Sequence, residues 1–306
     1  MVSIWEPTPD LREGWKWIEE SGADTLWVGD HLWSGGAPGN WDRPRFDTWS
    51  ILGALAIATD RVRLGSLVTS VGYRNPAVIA RQAITIDHLS GGRFELGIGA
   101  GANPRDALAA GLPSVRASER ERSFGEAVGV IRRFLREDSV TFRGTGQTFV
   151  DVPVAPRPIQ SSGIPLIVAA QTDPSLAVAA ELGDGWVSYG SRFSPGRVAP
   201  AGAAAGSAGS GRSVAEPTAW ELTRQRIDRL QALAIAHGRD PADIRRIFLM
   251  LTSYDQPWAS EAAFVDVLSR YREIGIDEFA FPYPIDRAAR AQVERVLVPG
   301  LARLRA

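Results

Sequence analysis

The sequence predicts an α/β protein folded as a single (β/α)8 barrel across its 306 residues. Three observations carry this expectation. Short β-rich runs alternate with helical segments along the whole chain. Eight such runs are counted, each followed by a helix, which favours a closed barrel over a doubly wound open sheet. The stretch 60–106, DRVRLGSLVTSVGYRNPAVIARQAITIDHLSGGRFELGIGAGANPRD, reads as strand, polar loop, helix, strand, glycine-rich loop. Two strands joined by a helix make a right-handed parallel βαβ unit. Its loops at 68–75 and 99–106 then open on one rim of the sheet. In α/β folds that rim holds the ligand.

Taken in order, VSIW at 2–5 is the first strand. Residues 9–21 form a helix with Leu11, Trp15 and Ile18 on one face and Gly22 beyond its end. TLWVG at 25–29 is a buried strand, followed at once by Asp30 and His31. Residues 32–46 are a loop rich in Gly, Pro and Trp, and a helix covers about 47–59. Strands follow at 62–67 and 93–98. Between them Asn75 caps a helix with Pro76 at its first position, where the missing N–H costs nothing. Ile79, Ala83, Ile86 and Leu89 recur at helical spacing and mark its buried face. Gly91 and Gly92 stop it.

Ser118 to Glu121 spell a capping box that opens a long helix to about 137, with Phe124, Val128, Ile131 and Leu135 inward. Residues 140–164 read as a hairpin and a proline-rich connection. PLIVA at 165–169 is a strand, and Asp173 caps the helix that Pro174 starts and that ends before Gly183. GWVSY at 185–189 is the sixth strand. Residues 190–216 contain VAPAGAAAGSAGSG, an Ala/Gly/Ser segment expected to be a mobile insertion loop on the ligand-binding rim. A helix at 217–237, a strand at 247–251, a helix at 260–274, a strand at 277–281 and a helix at 286–304 complete the count.

Lys and Arg total 34 against 35 Asp and Glu, so no polyelectrolyte surface points to nucleic acid or an anionic membrane. Cysteine is absent, which excludes disulfides, thiolate zinc sites and cysteine nucleophiles and fits a cytoplasmic protein. MVSIWEPTPD has no basic region followed by an apolar one, so no signal peptide is expected. Apolar runs such as ILGALAIA at 51–58 are too short to span a bilayer.

Asp30 and His31 end the second strand, where barrel enzymes place catalytic groups. Histidine exchanges protons near neutral pH, and a neighbouring carboxylate orients or tunes it. His88 and His237 lie near helix C-termini, where a cation suits the dipole. No HxH or HExxH spacing occurs, so no metal site is expected. GIGAG at 97–101 reads either as a tight turn or as a loop that lets backbone approach a ligand. Gln171 and Thr172 precede a helix N-terminus, a position that binds anions, although Asp173 opposes one nearby. No GxSxG elbow appears.

The series DTLWVGDHLW, then residues 61–113, then ELGDGWVSYG resembles the bacterial luciferase-like family. Within it the likeness is to the branch that uses the 5-deazaflavin coenzyme F420. The resemblance implies a TIM barrel and an oxidoreductase that moves a hydride between the deazaflavin C5 and a small organic substrate. It implies that His31 handles the coupled proton and that Asp30 orients it or binds the ring edge. It implies a non-prolyl cis peptide between Ser66 and Leu67, pressed with Val68 against the cofactor. Thr69, Gly99, Ala100, Gly101, Ala102 and Asn103 match cofactor-contacting positions, and Gln171 and Thr172 stand where relatives often carry two glycines. Ala102 also departs from the bulky or acidic residue common there. An FMN-dependent monooxygenase of the same family is the alternative, and a non-catalytic flavin- or ligand-binding barrel a further one. Trp5, Trp33, Trp41 and Tyr73 are expected to wall the substrate pocket. A homodimer is expected because dimers are common in the family.

Overall fold

A computed structural model describes residues 11–32, 46–101, 106–107, 110–113, 115–190, 217–250, 257–282 and 287–305. Seven parallel strands form one curled sheet: β1 (Thr25–Val28), β2 (Arg63–Ser70), β3 (Phe94–Gly99), β6 (Leu166–Ala169), β7 (Gly185–Ser188), β8 (Arg245–Leu249) and β9 (Glu278–Ala280), in that spatial order. An antiparallel hairpin, β4 (Ser139–Arg143) and β5 (Thr148–Pro153), stands between β3 and β6 in sequence and outside the sheet. The fold is the (β/α)8 barrel. The expected first strand at 2–5 lies outside the described residues.

The helices are α1 (Leu11–Glu20), α2 (Thr48–Ala58), α3 (Pro76–Leu89), α4 (Ala117–Arg136), α5 (Asp173–Leu182), α6 (Ala219–Ala236), α7 (Glu261–Glu273) and α8 (Arg287–Arg305). They cover the outer face of the sheet, and the larger hydrophobic core lies between the two layers. In α3 the Asn75 side chain accepts from Ala77 N at 2.9 Å, with Pro76 in the first turn, as the sequence predicts. Leu89 departs from its expected place and is 46% exposed at the helix end. Asp87 is buried on that face instead, where it accepts from Ile159 N (2.8 Å) and Gln160 Nε2 (2.7 Å) and ties down the proline-rich connection.

Two helix starts differ from expectation. α4 begins at Ala117, with no side-chain cap at Arg116, so Ser118 is already inside the helix. Glu121 accepts from the Thr172 hydroxyl at 3.0 Å instead of closing a capping box. Thr172, not Asp173, is the N-cap of α5, and Asp173 pairs with Arg229 at 2.9 Å. In both cases a tertiary partner competes successfully for the side chain that local pattern assigns to the cap.

A second, smaller core fills the inside of the barrel with Trp27, Leu67, Ile167, Val187, Ile247 and Ala280. Gly65 makes room for Trp27: a Cβ there would stand 2.3 Å from the indole. The N-terminal end of the strands is closed by charge. Glu95 is fully buried and accepts from Arg63 and from both terminal nitrogens of Arg245 (3.1 and 2.6 Å). Arg245 also stands 2.9 Å from Glu278, whose carboxyl burial pushes above its ordinary value while Arg245 opposes the shift. Four first-turn charges from β2, β3, β8 and β9 thus plug the end opposite the loops.

Candidate active site

The C-terminal end of the strands is the open end. β1 runs out at Val28, and Thr48 Oγ1 in α2 donates to Gly29 O at 2.7 Å, fixing the strand end. Asp30 follows, 3% exposed. Arg74, from the loop after β2, donates to both of its oxygens, one at 3.2 Å and the other in a shorter contact. Arg74 also lies 3.5 Å from Asp47, the N-cap of α2. Burial pushes the Asp30 carboxyl above its ordinary value, and the Arg74 guanidinium pulls the other way.

His31 turns to a different carboxylate. Its Nδ1 is 2.8 Å from Asp106 Oδ2. The His31 side chain is 46% exposed, and that of Asp106 is fully buried. The Tyr73 phenol lies beside Asp106, and burial together with the Asp106 charge pushes it well above its ordinary value. Three neighbouring strands, β1, β2 and β3, thus deliver His31, Tyr73 and Asp106 to one point. Asp106 is the functional candidate that the sequence reading missed. It closes the quoted segment GANPRD, but nothing local says that its side chain crosses two strand ends to reach His31.

The cis peptide lies between Leu67 and Val68, not between Ser66 and Leu67 as expected. Ser66 is held by the ladder on both sides, opposite Val28 and Leu96, and its hydroxyl donates to Gly97 O at 2.7 Å. The register breaks only after it: β2 resumes at Thr69 opposite Ile98, one residue longer than β3 over the same span. The bulge therefore falls one peptide later, and Leu67 and Val68 both pack on the inner core. Gly97 and Gly99 belong to β3 and serve this bulge. A Cβ on Gly97 would stand 2.0 Å from Ser66 O, and one on Gly99 2.8 Å from Val68. Gly101, at φ +72, closes against the Ser70 hydroxyl. Thr69 pairs with Ile98, which belongs to the helix-packed core, so its side chain faces away from the barrel interior. Ala100 likewise packs against that outer core, and Ala102 and Asn103 lie outside the described residues.

Across the mouth, the N–H groups of Gln171 and Thr172 both donate to Ser175 Oγ, at 3.2 and 3.1 Å. These two amides are engaged within the helix start rather than presented to an anion. The Gln171 side chain donates to Val187 O at 3.0 Å and accepts from Ser188 Oγ at 3.4 Å. Arg226 of α6, 8% exposed, donates to the same Ser188 hydroxyl at 3.4 Å. Between the two polar groups the inner core ends in Val68, Ala169 and Leu249, each partly exposed. They make an apolar floor with His31 and Tyr73 on one side and Gln171 on the other, while Ser188, paired with Phe248 of the outer core, faces the helix layer. This surface suits a flat ring with polar edges. Of the expected pocket wall, Tyr73 joins the site, while Trp5, Trp33 and Trp41 lie outside the described residues, as does 191–216. Among the described residues no group of three or more metal-ligating side chains occurs, and no helix is long and apolar enough to cross a membrane.

Comparison with known proteins places this geometry. The sequence profile of the luciferase-like monooxygenases matches residues 6–221. The chain is 33% identical over 197 residues to a 4-hydroxyprotoasukamycin monooxygenase of Streptomyces nodosus subsp. asukaensis, covering 64% of this chain and 50% of that protein. It is 33% identical over 186 residues to an F420-dependent glucose-6-phosphate dehydrogenase of Amycolatopsis mediterranei, covering 58% and 52%. The chain therefore spans about half the length of these curated relatives. A solved F420-dependent secondary alcohol dehydrogenase, bound to an F420-acetone adduct, superposes with a TM-score of 0.76 at 18% identity, over 98% of this chain and 97% of that one. With the profile covering most of the sequence and the barrel matched end to end, the chain belongs to the luciferase-like monooxygenase family.

Proposed function

We propose that this protein is an oxidoreductase that uses the deazaflavin coenzyme F420 to reduce or oxidise a small organic substrate. The single observation that carries the reading is the exposed imidazole of His31, seated on a buried carboxylate at the rim of an apolar floor. The cofactor when bound supplies hydride transfer at its C5, and the protein supplies position and proton handling. Val68, Ala169 and Leu249 would hold the ring from below, and the bulged backbone at Leu67 and Val68 would limit how deep it sits. Gln171 would meet a polar ring edge or the tail, held in place by Val187 O and the Ser188 hydroxyl. Thr172 and the backbone at Ser66, Thr69, Gly99, Ala100 and Gly101 shape that floor from behind. Ala102, Asn103 and the three tryptophans keep their expected contacts as part of this reading.

His31 would donate or accept the coupled proton. Asp30, engaged by Arg74, would act as the anchor of the loop after β1, not as an acid or base. The reading takes the chain as one barrel domain with 190–216 inserted on the substrate side. The relation to a monooxygenase, at 33% identity, favours FMN as the second reading. Titration of the purified protein with oxidised F420 and, separately, FMN decides between them. Fluorescence quenching or a visible-band shift with F420 alone is expected. A response to FMN alone selects the monooxygenase, and no response to either overturns both.

A further inference from the structure

We propose that Asp106 is the positioning residue that fixes which nitrogen His31 turns to the barrel mouth, making Nε2 the proton-exchanging atom. The use of that atom rests on the hydride-transfer reading above, but the geometry stands without it. Asp106 Oδ2 lies 2.8 Å from His31 Nδ1. An ionised carboxylate only accepts hydrogen bonds, so the nitrogen facing it carries the hydrogen. In the neutral ring Nε2 is then the basic lone pair, and in the charged ring it is the acid.

The surroundings hold Asp106 in place. It is fully buried, where a bare carboxylate is costly and hydrogen-bond donors are required. His31 supplies one such donor, and the neighbouring Tyr73 phenol keeps its proton because burial and the Asp106 charge both resist its loss. The loop that carries Tyr73 is fixed at its start by the Ser70 hydroxyl, which accepts from Gly72 N at 3.2 Å. Asp30, adjacent to His31 in sequence, cannot serve, because both its oxygens face Arg74. The pairing of His31 with Asp106 follows from the sheet order β1, β2, β3 and not from sequence neighbourhood.

The test reads the tautomer directly. The chain has three histidines, so ¹⁵N imidazole spectra of the full protein are tractable, with His31→Gln assigning the resonance. Neutral His31 is expected to be predominantly the Nδ1–H form. Asp106→Asn, whose amide can either donate or accept, should mix or invert the tautomers, and Asp106→Glu should restore Nδ1–H. In the loaded enzyme Asp106→Asn should lower kcat by about 10²-fold or more with the Kd for oxidised F420 unchanged within about threefold. A predominantly Nε2–H ring in the native protein overturns the proposal, as does an unchanged tautomer ratio in folded Asp106→Asn. If that variant does not fold by circular dichroism, the native spectrum decides. A chain that binds neither F420 nor FMN sinks the proposed function alone. One that binds F420 yet carries the Nε2–H ring sinks this inference alone.

Discussion

At the N-terminal end of the barrel strands Glu95 is fully buried between Arg63 and Arg245; at the C-terminal end Asp106 is fully buried beneath His31. Both carboxylates leave water for a cationic or hydrogen-bonding partner, and they differ in what that partner can do. A guanidinium stays charged at any working pH, so the lower cluster is a fixed lock. An imidazole gives up its proton near neutrality, and His31 keeps 46% of its side chain exposed. On the proposed function the upper pair would exchange a proton with whatever lies in the mouth, and the lower one would not. Barrel enzymes divide their ends in this way, chemistry above and stability below.

The largest effect expected from breaking this contrast is at His31. His31→Ala should slow turnover by about 10²–10⁴-fold while leaving cofactor affinity and the urea midpoint near native values. Wild-type rates in the variant would remove His31 from the chemistry. Glu95→Ala should do the reverse. Removing one partner of a buried ion cluster costs about 3 kcal/mol, here by leaving Arg63 and Arg245 facing each other inside the barrel. Urea unfolding should show that loss, with turnover per folded molecule preserved at low temperature. A variant as stable as the native chain would mean that the lower cluster is no lock.

Arg74→Met sharpens the comparison, because Asp30 is a carboxylate at the upper end that is locked as the lower ones are. Burial already holds its pKa above the ordinary value, and losing Arg74 leaves burial and the nearby Asp47 charge opposed by His31 alone among the neighbours that pull the other way. The folded state of the variant then binds a proton more tightly than the unfolded chain, whose value is near 3.9. Such a contribution is fully present below the unfolded pKa and is lost as pH rises through the folded one. The deficit of the variant should be small near pH 4 and reach about 2 kcal/mol at pH 7. A deficit independent of pH would show that Arg74 acts through packing alone. The smallest effect is expected from Glu137→Gln, which removes the exposed 2.8 Å pair with Arg133 on α4. The urea midpoint should not move measurably, since solvent-exposed pairs contribute little. A shift as large as that of Glu95→Ala would erase the distinction between buried and exposed charge on which the comparison stands.

The parts legible in the sequence are those whose signals are local. The order of strands and helices, Asn75 with Pro76 at the start of α3, and the inward stripe of Phe124, Val128, Ile131 and Leu135 all follow from periodicity and cap chemistry. The position of Asp30 and His31 at a strand end was legible for the same reason, since a strand that ends at the rim must hand its next residues to the mouth. Where a distant group competes for a side chain, the local reading fails. Thr172 took the cap assigned to Asp173, and Glu121 turned to Thr172 instead of its own helix start. The cis peptide was placed one bond early because the sequence does not show that Ser66 is pinned by both neighbouring strands.

The sequence by itself therefore determined the barrel, its family and the place of His31 at a strand end. Only the tertiary structure decided the partners: Arg74 for Asp30, Asp106 for His31, Glu95 for Arg63 and Arg245. The physical reason is range. Propensity and hydrophobic period act within a turn of helix or a pair of strand residues, and the chain carries them in order. A buried charge takes its partner from whichever strand end the closed sheet brings beside it, and those partners here lie 44, 75, 32 and 150 residues away.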